Sequence, residues 1–195
     1  MAHISSIGAG MFSDLSVAKP SVAPTFANLD SASEFKALFA TLIESVGGTA
    51  AANTYVRIKN VREFPAMGTP PNVVNVPVYG SSTSQQIQGQ SDAPSMEITM
   101  NYVATEWADG TLLGNMVGDG NQYVFRFSLL NAKPSNYNST DATGMANGNI
   151  ENSQYFWIGK LEALTVSPQL TDANTATITI TVQSEFFGAY TSTPV

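Results

Sequence analysis

Thr175-Ala176-Thr177-Ile178-Thr179-Ile180-Thr181-Val182-Gln183-Ser184-Glu185-Phe186 alternates polar and apolar side chains along almost its whole length. A period of two marks a strand half in water and half in a core, so the run predicts one long β-strand. Ala176, Ile178, Ile180, Val182 and Phe186 belong to the dry face. Thr175, Thr177, Thr179, Thr181, Gln183 and Glu185 belong to the wet one. Hydroxyls outnumber charges on that wet face, which suits the wall of an extended barrel or channel better than a catalytic cleft.

Working backwards, Ser95 to Tyr102 alternates in the same way, with Met96, Ile98, Met100 and Tyr102 set against Glu97, Thr99 and Asn101. Tyr123, Phe125, Phe127 and Leu129 mark another strand. Tyr155 to Val166 marks a further one, whose phase slips near Gly159 as at a β-bulge. Thr54 to Glu63 and Asn72 to Tyr79 read as strands, the second interrupted by Pro77 in the manner of an edge. Thr105 to Val117 reads as a helix that buries Trp107, Leu112, Leu113, Met116 and Val117. An additional N-terminal helix is expected over Ser31 to Val46: Ser31 and Glu34 have capping-box spacing, and Phe35, Leu38, Phe39, Leu42, Ile43 and Val46 make one stripe before Gly47-Gly48. The fold class is therefore mainly β, a sandwich or barrel with a flanking helix. Residues 1–29 read as an N-terminal arm and 30–195 as one domain with long loops at 80–94 and 131–153.

Composition narrows the functional classes. The chain has 195 residues, is 43% hydrophobic and only 12% charged, against roughly 25% charged in ordinary soluble proteins. A net charge of −7, with eight Lys and Arg scattered along the sequence, leaves no basic stripe for tight nucleic-acid binding. The absence of cysteine excludes disulfides, thiolate metal sites and cysteine nucleophiles. Met1 to Gly8 has no basic segment followed by an apolar run, and no stretch reaches membrane-span length. Synthesis and folding in the cytoplasm, without secretion or membrane insertion, are expected.

No constellation specifies catalysis, a metal or a cofactor. His3 is the sole histidine and stands in the expected arm, where no base is held in place. Glu97, Glu162 and Glu185 could approach one another as an acid–base pair, although exposed strand carboxylates usually serve solvation. Asp141, Asn147, Asn149 and Glu151 offer oxygen ligands without EF-hand order. Gly8-Ala9-Gly10 lacks the context for phosphate binding, and Asn138-Ser139-Thr140 is a sequon without a secretory route. Trp107, Tyr123, Phe125, Phe127, Tyr155, Phe156 and Trp157 form a sugar-stacking platform only if exposed, and their periods place them in the core.

Gln88-Gly89-Gln90-Ser91 before the strand at Ser95, the helix around Gly110-Thr111-Leu112-Leu113, the strand Gln122-Tyr123-Val124-Phe125-Arg126-Phe127 and the closing strand pair together resemble the major tail tube proteins of long-tailed, non-contractile bacteriophages. The resemblance covers about Tyr55 to Phe187. It implies a β-sandwich or barrel, hexameric rings of identical subunits stacked into a virion tail tube, and DNA in transit through it. Tape-measure, tail-tip and tail-terminator proteins would be the other partners. It implies further that the loop over Gly80 to Pro94 reaches a neighbouring ring, through Ser81, Ser82, Thr83, Ser84, Gln85, Gln86, Ile87, Gln88, Gly89, Gln90 and Ser91. Glu97, Thr99 and Asn101, with Thr175, Thr177, Thr179, Thr181, Gln183 and Glu185, are the expected bore lining. The helix over Ser31 to Val46 and the loop over Asn131 to Ser153 depart from the simpler family pattern. Secretion-tube proteins look similar, and a monomeric carbohydrate-binding β-sandwich and a hydrolase are the rival readings.

Overall fold

The computed structural model describes residues 13–19, 29–39, 41–42, 54–68, 73–80, 82–89, 95–129 and 153–191. Its strands are β1 (Asp14–Lys19), β2 (Thr41–Leu42), β3 (Thr54–Ile58), β4 (Val61–Glu63), β5 (Val73–Val76), β6 (Gln85–Gln88), β7 (Ser95–Asn101), β8 (Tyr123–Leu129), β9 (Ser153–Ser167), β10 (Thr175–Val182) and β11 (Phe187–Thr191). Three short helices accompany them among the described residues: α1 (Ala32–Ala37), α2 (Ala104–Trp107) and α3 (Leu112–Met116). The fold is mainly β, as the alternation demands.

Nine strands form one sheet in the order β2-β3-β1-β8-β9-β10-β7-β4, with β11 beside β9, while β5 and β6 make a separate hairpin. All pairings are antiparallel except β2 with β3. Consecutive strands β3 and β4 stand near opposite ends of that order. Only Lys59 and Asn60 connect them, and this short link spans at most about 11 Å between Ile58 and Val61. The two ends of the sheet must therefore come round to meet, giving a barrel-like curl. Asn60 turns the corner at φ 61°, a left-handed conformation that Asn tolerates, and its carbonyl accepts from the Asn101 amide at 2.9 Å.

The inside of the curl is dry. Leu15 and Val17 of β1, Tyr123, Phe125 and Phe127 of β8, Trp157 and Leu161 of β9, Ile178, Ile180 and Val182 of β10, and Met96, Ile98 and Met100 of β7 form one cluster. Phe125 and Trp157, partners across β8 and β9, stack with ring centroids 5.6 Å apart. Trp107, Leu113 and Met116, from α2 and α3, join this core. At the turn after α3, the Tyr123 phenol donates to Asp119. Burial, then that carboxylate, push its pKa upward, so the phenol stays a donor at neutral pH.

A second cluster lies on the outer face of β3, β1, β8 and β9, where α1 lays Phe35, with Phe39 just beyond, on Tyr55, Val124, Phe156 and Ile158. Each fully buried aromatic contributes about 1.5–3 kcal/mol by its removal from water. The same face holds an ionic network. Arg57 Nε donates to Asp14 Oδ1 at 2.6 Å, and Ser16 Oγ donates to Asp14 Oδ2 at 2.6 Å. The Arg126 guanidinium reaches Ser16 Oγ at 3.4 Å and lies 4.5 Å and 4.8 Å from the ring centroids of Phe39 and Tyr55. These cation–π contacts offset part of the cost of burying Arg126.

Several sequence expectations change. Part of the expected arm over residues 1–29, Asp14–Lys19, is a strand in the sheet, paired on both sides by β3 and β8. It lacks the usual wet face because Asp14 and Ser16 are buried against Arg57 and Arg126 from the neighbouring strands β3 and β8. The helix expected over Ser31 to Val46 ends far earlier. Its capping box forms, with Glu34 accepting from the Ser31 amide at 3.1 Å, but Leu38 is already the C-cap, and Thr41–Leu42 pair in parallel with β3. The helix expected over Thr105 to Val117 divides in two. Gly110 takes φ 86° there, and Thr111 restarts the helix, its Oγ1 accepting from the Gly114 amide at 2.9 Å. Within the loop expected over Gly80 to Pro94, Gln85–Gln88 is a strand paired with β5. The strand expected over Thr54 to Glu63 breaks at Lys59-Asn60 into β3 and β4. The run Thr175 to Phe186 is a strand only to Val182, after which the Ser184 hydroxyl accepts from the Ile158 amide at 2.9 Å and the chain turns into β11. The loop expected over Asn131 to Ser153, apart from its last residue, lies outside the described residues, as do His3, Gly8 to Gly10 and the oxygen-rich run 141–151.

The phase slip in β9 is real but sits slightly beyond Gly159. Thr179 pairs with Ala163 and Ile180 with Leu161, which leaves Glu162 as the extra residue. Gly159 itself has a steric role: a Cβ there would stand 2.9 Å from the Thr181 carbonyl oxygen and 3.1 Å from Ile180 Cγ2. Gly159→Ala is expected to lower stability by about 1–3 kcal/mol through overpacking. Urea denaturation checks this by a lower midpoint at unchanged m.

Candidate functional site

The outer surface of the curled sheet has two halves. One is covered by α1 and its aromatic cluster. The other, on β7, β10 and the second half of β9, is polar and uncovered among the described residues. Its cross-strand rows follow from the register: Asn101, Thr175 and Ser167; Thr99, Thr177 and Thr165; Glu97, Thr179 and Ala163; Ser95, Thr181 and Lys160. The opposite faces of β7 and β10 carry Met96, Ile98, Met100, Ala176, Ile178, Ile180 and Val182, all buried in the inner core. Burial therefore fixes which side of these strands meets water.

Seven of the residues expected from the sequence, Glu97, Thr99, Asn101, Thr175, Thr177, Thr179 and Thr181, are thus brought onto one continuous face. Gln183 and Glu185 lie past the end of β10, outside the rows. Thr165, Ser167, Lys160 and Ser95 complete the face; Ser95 follows from the alternation of β7, whereas the sequence pattern alone does not place the other three there. For Thr165 and Ser167 the signal is the slip itself: the extra residue at Glu162 reverses the parity of β9, so Ala163, Thr165 and Ser167 point outward although Tyr155 and Trp157 pack inward.

This polar layer is flanked by strand edges open among the described residues. β8 pairs with β9 only as far as Gly159, beyond which the same edge receives just one further backbone bond, from the Gly118 amide to the Leu161 carbonyl at 2.8 Å. On the far side, β4 pairs β7 only at Thr99 and Met100, leaving Ser95 to Ile98 without a strand neighbour there. Open edges present backbone donors and acceptors for another chain.

The β5–β6 hairpin projects separately. Val74 faces Ile87 across it, and Val73, Val74 and Ile87 are 51%, 53% and 57% exposed. Tyr79 at its turn is wholly exposed. From Phe64 to Ser91 the sequence carries no charged residue. Two strands with apolar side chains in water and no gatekeeping charge are marginal by themselves. Of the expected inter-ring residues, Ser82, Thr83, Ser84, Gln85, Gln86, Ile87, Gln88 and Gly89 are described and exposed; Ser81, Gln90 and Ser91 are not described.

A comparison with solved structures finds the tail tube of SPP1, determined by solid-state NMR and cryo-EM. The match has TM-score 0.46 and 13% sequence identity, and covers 92% of this chain and 77% of that one. No family model matches the chain, and no curated protein matches it.

The rival sites look different once the geometry is known. Trp107, Tyr123, Phe125, Phe127, Phe156 and Trp157 are buried, so they offer no stacking platform to a sugar. Glu97, Glu162 and Glu185 are all exposed and lack the water-poor enclosure of acid–base catalysis. No cluster of three metal-ligating side chains occurs among the described residues, and no helix among them is long and apolar enough to cross a membrane. Arg57 and Arg126 are buried with Asp14. Setting aside these two cations and one anion makes the sum of the remaining charges more negative than the formal −7 of the whole chain.

Proposed function

We propose that the chain is the structural subunit of a phage tail tube, assembling into rings that stack around a bore for DNA. The observation that carries this reading is the polar β7–β10–β9 face flanked by open strand edges. Pairing the β9 edge of one copy with the β7 edge of the next would extend the wet face from subunit to subunit. Such a contact is heterologous, joining two different surfaces, and makes a closed ring whenever the rotation between copies closes. The resemblance in element order supports six copies per ring. The charge-free β5–β6 hairpin would then seat its apolar side chains on a subunit of the neighbouring ring, with Ser81 to Ser91 in the inter-ring contact.

A conduit must guide DNA without holding it. Hydroxyls and amides on the bore face forgo the counterion release that drives phosphate binding, and an acidic surface repels the duplex weakly. The reading places the protein in the virion tail, with tape-measure, tail-tip and tail-terminator proteins as further partners by family resemblance. A secretion tube would share the wall geometry, and DNA delivery separates the two. Glu97→Lys combined with Thr175→Lys puts two cations per subunit on the bore face. Tubes of this variant are expected to assemble, and to retain DNA strongly at low salt and weakly at high salt. A DNA co-sedimentation series in salt checks this, and equal, weak retention by variant and parent at low salt would remove the face from the bore.

A further inference from the structure

Eight hydroxyls populate the β7–β10–β9 face: Ser95, Thr99, Thr165, Ser167, Thr175, Thr177, Thr179 and Thr181. Among the described residues they make no side-chain hydrogen bonds to one another. Their arrangement is regular. Along β10 the threonines repeat every second residue, so successive rows are about 6.8 Å apart, and neighbours within a row stand about 4.8 Å apart across the strands. Two hydroxyl oxygens about 4.8 Å apart are too distant to bond directly, but a single water about 2.8 Å from each joins them at an angle of about 120°. That is close to the angle water prefers between two partners. The row Thr99, Thr177, Thr165 offers two such bridges side by side. The row Ser95, Thr181 and the pair Thr175, Ser167 each offer one. β-branching supports the regularity, because threonine χ1 is restricted on a strand.

We propose that this face holds a lattice of bridging water, and that this bound layer, more than carboxylate repulsion, keeps a polyanion from touching the wall; the second half rests on the tube reading above. The chemistry of the rows favours water over phosphate as the first partner. Neutral hydroxyls bind water nearly as well as a direct protein hydrogen bond would and gain nothing from counterion release. Glu97 and Lys160 are the charges on the rows, one of each sign, and exposed Glu162 stands at the bulge beside them, so hydroxyls well outnumber charges on the face. A wall coated in this way would interact with DNA in a manner nearly independent of salt.

The test has two arms. In the first, a high-resolution crystal structure of the subunit and its water–proton cross-relaxation are compared between the parent and Thr99→Val/Thr165→Val/Thr177→Val, which keeps shape and β-branching while removing three hydroxyls. Ordered waters bridging the row in the parent and absent from the variant are expected. Bulk-like hydration, or hydroxyls bonded directly to each other, overturns the lattice. In the second, tubes of the same variant are expected to form as readily as the parent and to pass DNA at least threefold more slowly at both low and high salt. Glu97→Gln is expected to change the rate less than twofold. Parental transit by the valine variant, or a large and salt-dependent effect of Glu97→Gln, overturns the protective role. If the parent chain forms no tubes, the tube reading fails, and the first arm still decides whether the water lattice exists.

Discussion

Val74→Lys/Ile87→Lys is expected to abolish tube growth while leaving the subunit folded. The two side chains face each other across the β5–β6 hairpin and are both more than half exposed, so neither substitution removes a buried core contact. The new charges stand opposite one another, which weakens the hairpin by a fraction of a kcal/mol, and they would have to be desolvated in any apolar seat on a neighbour. A loss of polymerisation of more than about 100-fold corresponds to roughly 3 kcal/mol at each contact. Light scattering during polymerisation, with thermal melts of the free subunit, checks the pair of outcomes. Normal tube growth by the variant would take the hairpin out of the assembly contact.

The second large effect is expected within the subunit. Arg57 Nε and Asp14 Oδ1 are 2.6 Å apart, with side chains only 7% and 3% exposed. Arg57→Ala strands the Asp14 carboxylate in the sheet with Ser16 as its remaining donor among the described residues. Removing one partner of a buried ion pair costs about 3–5 kcal/mol, enough to unfold a marginal domain. Changing both partners, Asp14→Asn with Arg57→Met, is expected to recover part of that loss, because the carboxylate is no longer stranded, while Arg126 keeps its contacts to Ser16, Phe39 and Tyr55. Equilibrium urea unfolding of the two variants measures the difference, and a single variant within about 1 kcal/mol of the parent would contradict the network.

Where one face of an element meets water, its pattern is visible along the chain. β7 and β10 show this: Glu97, Thr99 and Asn101, like Thr175, Thr177, Thr179 and Thr181, alternate with core residues, and their facing positions in the sheet turn two separate runs into one surface. β1 is illegible for the opposite reason. It is covered on both faces, and its Asp14 and Ser16 are acceptable there only because Arg57 and Arg126 arrive from β3 and β8. Nothing within residues 14–19 announces those partners. The stripe from Phe35 to Val46 is compatible with helix, but tertiary pairing wins at Thr41–Leu42, which lie beside β3. Gln85–Gln88 shows neither a period of two nor an apolar majority, and its strand comes from pairing with the valines of β5. The hydroxyls of β9 are hidden by a single residue, Glu162, whose insertion changes the face of everything after it.

Cryo-electron microscopy of the concentrated protein, with and without a tail-tip nucleus, tests the central claim most directly. Stacked rings are expected in which the β9 edge of one subunit meets the β7 edge of the next, with Thr177 and Thr179 facing the bore and the β5–β6 hairpin crossing to the adjacent ring. A protein that stays monomeric under both conditions, or a tube whose β10 hydroxyls face outward, would contradict it.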